Sequence, residues 1–328
     1  MVQTSQVRGH RVKDFLNTQE LAYFTRRSNL RGAWAILGVW LGIACCFAAM
    51  AAVTYLPLYA GLPLFVVGFV ALGGRQLGLS ILTHEAAHTT LFANKWCNDV
   101  LTDWLAAKPV WNSVIKFRAH HMVHHANTTA DIDPDKPLYS ALPVSKASHA
   151  RKFLRDLIGL TGLKFYAGRL LMSAGILKWS DAIGEIDPAA KSRHFWQFPL
   201  IFIKNTWGTI LTNGALFFVL AATGHAWLYG MWILAYTIPF PFIIRIRAMA
   251  EHAGLAIVPD TLRNTRTTYA GLLGRMTVAP LNVNYHMEHH LVASTPYYRL
   301  PELHQHLLGQ GKTPAGWTYR HVLNACTI

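Results

Sequence analysis

Residues 33–56 run through AWAILGVWLGIACCFAAMAAVTYL without one charged side chain. That is longer than the roughly 20 residues a helix needs to cross a bilayer. A stretch of this kind folds only where its backbone groups bond one another, so a membrane-spanning helix is the expectation. After an expected break at Pro57–Pro63, a second apolar stretch from Leu64 to Leu82 is interrupted only by Arg75 and Gln76, which predicts a tight helical hairpin. A second apolar pair occupies about 198–222, containing Lys204 and Asn205, and 226–246, separated by an uncharged turn around Gly224. Pro239 and Pro241 predict a kink in the last of these helices.

The chain is 52% hydrophobic and only 14% charged, yet its net charge is +14. Those two facts are compatible only if basic and apolar residues are segregated. Of the 30 Lys and Arg, 27 lie outside the four predicted spans, and the two short turns carry none. By the positive-inside rule, segments 1–32, 83–196 and 247–328 are cytoplasmic, with hairpins at 33–82 and 197–246. The predicted fold is an all-α, multi-pass membrane protein with four transmembrane helices, both termini inside and a cytoplasmic helical cap. Arg75, Lys204 and Arg245 then belong near span ends or against polar groups. A nucleic-acid binder is excluded, because its basic residues would form a solvated face and not punctuate apolar runs. The N-terminus, with Arg8, Arg11, Lys13, Asp14 and Glu20 ahead of any apolar run, does not read as a signal peptide. Cys45, Cys46, Cys97 and Cys326 include no CxxC pair and suggest core packing.

Seventeen histidines are present, and three groups stand out: His84-Glu85-Ala86-Ala87-His88, His120-His121-Met122-Val123-His124-His125 and His286-Met287-Glu288-His289-His290. On a helix, residues three and four apart share a face, so each group is shaped to present imidazoles toward one point. All three fall near span ends on the predicted cytoplasmic side. Together they offer more imidazoles than one tetrahedral zinc can use, so two metal ions are expected; Zn, Cu, Fe and Ni all suit the ligand type. Taken alone, His84-Glu85-x-x-His88 is also the signature of a zinc metalloprotease with Glu85 as general base.

In spacing and flanks, HEAAH, HHMVHH followed by ANTTADIDPD, and NYHMEHH followed by LVASTPYYRLPELH resemble the three histidine boxes of the integral-membrane fatty acid desaturase family. The resemblance covers about residues 80–306 and implies a four-span fold with two iron ions, molecular oxygen as co-substrate, and a lipid or fatty acyl substrate. The implied ligands are His84, His88, His121, His124, His125, His286, His289 and His290, with His252, just after the last span, as the ninth. Glu251 and Asn284 are implied as candidates to orient those ligands. Box one has the three-residue gap of acyl-lipid members, and box three begins with histidine, not the glutamine of front-end desaturases. The implied reaction is desaturation of an unactivated chain. Hydroxylation, ketolation and oxidative decarboxylation to a terminal alkene are alternatives on the same centre.

The chain shows no GxGxxG fingerprint, four-cysteine cluster or HPGG motif, so electrons are expected from a separate ferredoxin or cytochrome b5-like donor. A bacterial inner membrane or its equivalent is the expected location. His10, His120, His149, His194, His225, His304, His306 and His321 read as structural, supporting or solvated. Asp131, Asp133 and Asp135 read as an acidic turn. Arg263 and Arg266 are candidates for an acyl head group, or for lipid phosphate or an internal carboxylate.

Overall fold

Inside a bilayer an uncharged run has no water to satisfy its peptide groups, and the chain answers with long helices. The computed structural model describes residues 10–182 and 184–328; Arg8 and the rest of 1–9 lie outside the described residues. The first long helix, α1 (Asn29–Ala51), is opened by Ser28, whose hydroxyl accepts the Arg31 N–H at 3.3 Å. It starts and ends earlier than the hydropathy suggested, because this cap precedes the apolar run and a short 3-10 turn at Ala52–Thr54 closes it. Helix α2 (Leu58–Ala87) follows at once. The expected break over Pro57–Pro63 is confined to its start: Pro57 is the N-cap and Pro63 lies inside the helix. A proline so close to a helix N-terminus removes one backbone bond without stopping the helix. Thirty residues make α2 about 45 Å long, more than the roughly 30 Å of a hydrocarbon core.

Small residues let other segments close on α2. A Cβ at Gly74 would stand 2.3 Å from the Met276 carbonyl oxygen and 2.8 Å from Thr277 Cα. Beside it, Arg75 donates to the carbonyls of Arg275 and Met276 at 3.1 and 2.7 Å, which gives the charge in this apolar stretch polar partners. Gln76 donates to the Trp232 carbonyl at 2.8 Å, a polar link between two apolar helices. Gly74→Ala is therefore expected to cost about 1–3 kcal/mol by overpacking. Gly38→Ala, facing open space, serves as the control. A thermal midpoint of purified protein that falls for the first and not the second is the expected result.

Between the hairpins come α3 (Val114–Asn127), α4 (Lys146–Leu157) and α5 (Leu160–Ser173). The second apolar pair is α6 (Gln197–Ala222) and a broken helix, α7 (Trp227–Thr237) and α8 (Pro239–Glu251). Gly224 turns the chain at φ +79°, and the break falls at Ile238, directly before Pro239, where a kink was expected. Among the described residues, three helical stretches, Thr18–Thr54, Leu58–Ala87 and Trp227–Glu251, are long and apolar enough to cross a membrane by length and composition. Helix α6 is long enough, but Lys204, Asn205 and Asn213 dilute its apolar character. Arg245 pairs with Asp156 at 2.5 and 2.8 Å, and Lys204 stays exposed.

The C-terminal region adds α9 (His286–Leu291), α10 (Leu300–Gly309) and a two-residue parallel pair, β1 (Thr268–Tyr269) with β2 (Trp317–Thr318). The N-terminal residues Phe15, Leu16 and Phe24 pack on Met287, Leu291, Leu303 and Leu307, so the two ends of the chain form one body around box three. Tyr23 donates to Glu302 at 2.7 Å across the same contact.

Candidate metal centre

Each box sits on a helix or at its end. His84 lies in the last turn of α2 and His88 is its C-cap; His121, His124 and His125 ride on α3; His286, His289 and His290 make up half of the six-residue α9. His252 is the C-cap of α8, brought in because that helix continues past the predicted span end. All nine converge in two groups, His84, His88, His121, His125 and His289 in one, His124, His252, His286 and His290 in the other. Within each group the candidate nitrogens lie within 4.8 Å of one another. The groups adjoin: the rings of His125 and His290 stack at 4.1 Å.

The boxes are not each aimed at a single point, as their spacing suggested. Residues four apart stay together, as in His84/His88, His121/His125 and His286/His290, while the residue at the third position, His124 or His289, joins the other group. Helix geometry explains the split. At 3.6 residues per turn a step of four advances about 40° and a step of three falls about 60° short, so the two positions flank one stripe on opposite sides.

The donor set fits metal. Nε2 atoms stand 3.0 Å apart for His121 and His125, 3.1 Å for His125 and His289, and 2.8 Å for His252 and His286. Two nitrogens bound to one ion at about 2.0–2.1 Å would lie roughly 2.9–3.4 Å apart at ordinary coordination angles. Both ring nitrogens of His84, Nε2 of His88 and Nε2 of His290 are buried without a hydrogen-bond partner, an arrangement that costs free energy unless something accepts their lone pairs. Burial holds the imidazoles of His88, His121, His125, His286, His289 and His290 well below their ordinary pKa, and pushes His252 down to about 3. They are neutral at physiological pH, the form that ligates.

Carboxylates set the ring orientations, and most of them were not legible beforehand. The acidic turn is present, but it does more than cap itself. Asp133, buried, accepts from His124 Nδ1 at 2.8 Å, Tyr139 OH at 2.6 Å and the backbone of Thr129 and Asp135 at 3.0 and 2.9 Å. Burial alone would raise its pKa; those bonds outweigh burial and hold it at about 2. With Nδ1–H committed to Asp133, His124 turns Nε2 toward its group. Burial lowers the His124 pKa, but the Asp133 bond and the charges of Asp135 and Asp133 leave it raised. Asp135 holds His120 at 2.8 Å, and exposed Asp131 pairs with Lys136.

His252 Nδ1 donates to the Asn264 carbonyl at 2.9 Å. Glu251 lies 3.4 Å from His286 Nδ1 and pairs with Arg247 at 2.8 Å. Asn284 instead donates to the Thr268 carbonyl at 2.7 Å, clipping the lead-in of box three to β1. Glu288, fully buried between the ligand candidates of α9, accepts from His304 at 2.7 Å and from the Thr267 hydroxyl. Arg118 donates to the Ala86 and Ala87 carbonyls at 2.7 Å, closing the end of α2 onto α3. The basic i−3 neighbour of His121 was the only sequence cue to that clamp.

Glu85 is 2% exposed, and its carboxylate accepts from Thr90 OH at 2.8 Å and the Tyr297 N–H at 3.0 Å. It anchors box one instead of facing a substrate, and neither group contains a carboxylate, contrary to what a zinc protease requires. Of the other histidines, His149 bonds the Cys326 carbonyl and His306 pairs with Glu20; none of the eight joins either group. Arg266 is buried, bonded to the Ala253 carbonyl and stacked on Trp317, so it is not available to a head group; Arg263 is exposed.

The chain is 24% identical over 291 residues to dihydrorhizobitoxine desaturase of Bradyrhizobium elkanii, covering 84% of this chain and 77% of that one. It is 25% identical over 243 residues to a Delta(12) acyl-lipid conjugase (11E,13E-forming) of Impatiens balsamina, covering 70% of this chain and 62% of the conjugase. The fatty acid desaturase family profile matches residues 60–323, more than half of the sequence, and the chain belongs to that family.

Proposed function

We propose that this protein is a membrane-bound, oxygen-dependent di-iron desaturase of an acyl or related alkyl chain. The observation that carries the reading is the pair of adjoining, carboxylate-free histidine groups at the end of a helix long enough to cross a bilayer. Two iron ions, held by the five-histidine and four-histidine groups, would supply an oxidant stronger than any side chain provides. The balance is the loss of two vicinal C–H hydrogens with formation of a C=C bond. Dioxygen, two donor electrons and two protons, together with those hydrogens, become two waters.

The chain's own residues supply position. Asp133 and the Asn264 carbonyl orient His124 and His252, Glu85 and Glu288 lock the helices that bear boxes one and three, and Arg118 joins box one to box two. Four spans with the site and both termini on the cytoplasmic face support delivery of an apolar substrate from the bilayer. The fourth span, α6, is supported by the apolar side chains it exposes, Ile203, Ile210, Leu211, Phe218 and Val219. Electrons come from a ferredoxin or cytochrome b5-like partner, whose acidic face suits the basic cytoplasmic side. The two relatives' names give a desaturase and a conjugase, which supports C–H oxidation ending in unsaturation.

The test pairs metal analysis with product analysis. Purified protein is expected to carry about two irons per chain, and cells expressing it with a donor are expected to accumulate a chain two mass units lighter than its precursor. One zinc without iron overturns the metal assignment. A gain of sixteen mass units replaces desaturation by hydroxylation.

A further inference from the structure

A second constellation lies one aromatic ring from the first histidine group. A cleft of about 30 Å³ is lined by Trp111, Lys116, Arg169, Met172, Trp179 and Asn205, among others, where α3, α5 and α6 meet. Trp179 packs on Phe117 at 6.2 Å and Phe117 stacks on His121 at 5.0 Å, so one ring separates the cleft wall from the histidines. The charges around it do not balance. Lys108 is matched to Asp103 at 2.6 Å and Arg169 to Asp181 at 2.7 Å. Lys116, half-buried, bonds only a neutral group among the described partners, the Asn205 side-chain oxygen at 2.9 Å.

Arg169 stacks on Trp179, with its centre 5.2 Å from the ring, and Tyr236 is within electrostatic reach. Its guanidinium is thus held between Asp181 and the Tyr236 hydroxyl while lining the cleft. Burial, and then the like charges of Lys108 and Arg169, depress the Lys116 pKa. A half-buried Lys116 with only a neutral hydrogen-bond partner, beside a second cation, is costly unless an anion completes the site. The cleft's aromatic walls meanwhile suit an alkyl chain.

We infer that this cleft seats the anionic end, carboxylate or phosphate, of the alkyl substrate, held by Lys116 and Arg169. This deepens the desaturase reading and rests on it for the word substrate, but binding can be measured without turnover. The probe is a twelve-carbon carboxylate bearing a diazirine, photolysed with the full chain in nanodiscs of zwitterionic lipid and mapped by mass spectrometry.

Labels are expected on the peptides holding Trp111 and Met172. Labelling is expected to fall about tenfold in Lys116→Gln and to persist in Lys116→Arg, since bonds between charged groups are the strong ones. Iron content and helicity, unchanged in both variants, verify the fold. Laurate or dodecyl phosphate should compete, the stronger of the two naming the head group, and dodecanol should not. Undiminished labelling in Lys116→Gln, or equal competition by dodecanol, overturns the inference. Cleft labelling in a protein that forms no unsaturated product leaves the anion site standing and sinks the desaturase reading; product without cleft labelling does the reverse.

Discussion

His125→Ala is expected to reduce turnover by at least about a hundredfold and to lower bound iron from two per chain toward one. His125 stands 3.0 Å from His121 and 3.1 Å from His289 through Nε2, and its ring lies on His290 of the other group at 4.1 Å. Removing it therefore takes a donor from one group and the packing support from the other. Changes one step further out already cost 10–100-fold in metal affinity or activity, so loss of a ligand falls beyond that range. His194→Ala, which alters a histidine stacked on Trp196 outside both groups, is the matched control and should keep both irons and full rate. Iron measured by plasma mass spectrometry alongside turnover decides it. Two irons and wild-type rate in His125→Ala would remove this residue from the ligand set.

The second large effect is expected at a residue that touches no metal. Asp133→Ala leaves His124 Nδ1 and Tyr139 OH without their shared acceptor in a buried site, while the Thr129 N–H keeps the Tyr139 hydroxyl. Each orphaned group costs about 1–3 kcal/mol, and the freed imidazole can take the other tautomer or rotate. The expectation is a 10–100-fold weaker hold on iron in chelator competition, together with a lower thermal midpoint. Asp133→Asn keeps one acceptor oxygen, so its loss should be intermediate. Wild-type iron retention in Asp133→Ala would assign the aspartate to turn structure alone.

Much of this protein was readable as periodicity. The uncharged run at 33–56, the turn at Gly224 and the break before Pro239 each announce themselves through a local rule, hydropathy or a residue's own backbone limits, and the helices follow. Boundaries were less legible. Pro63 reads as an interruption, yet lies inside α2, because one missing N–H near a helix start is cheap beside the burial the helix gains. The histidines of the three boxes stand out by spacing alone. His252 does not, and only its place after a span, by resemblance, suggested it.

What the sequence by itself determined is the helical class, the apolar stretches and the spacing of the eight box histidines, since each depends on neighbours within a turn or two of helix. Tertiary structure decided how those histidines are shared: His124 and His289 leave their own boxes for the opposite group. It also decided the partners of the charged residues, because Glu85 is held by the Tyr297 backbone 212 residues away and Lys116 bonds Asn205 across 89. Helical periodicity is a property of the chain alone. Which histidines share a group, and which cation is met only by a neutral side chain, depends on packing between distant helices, where no local pattern carries the information.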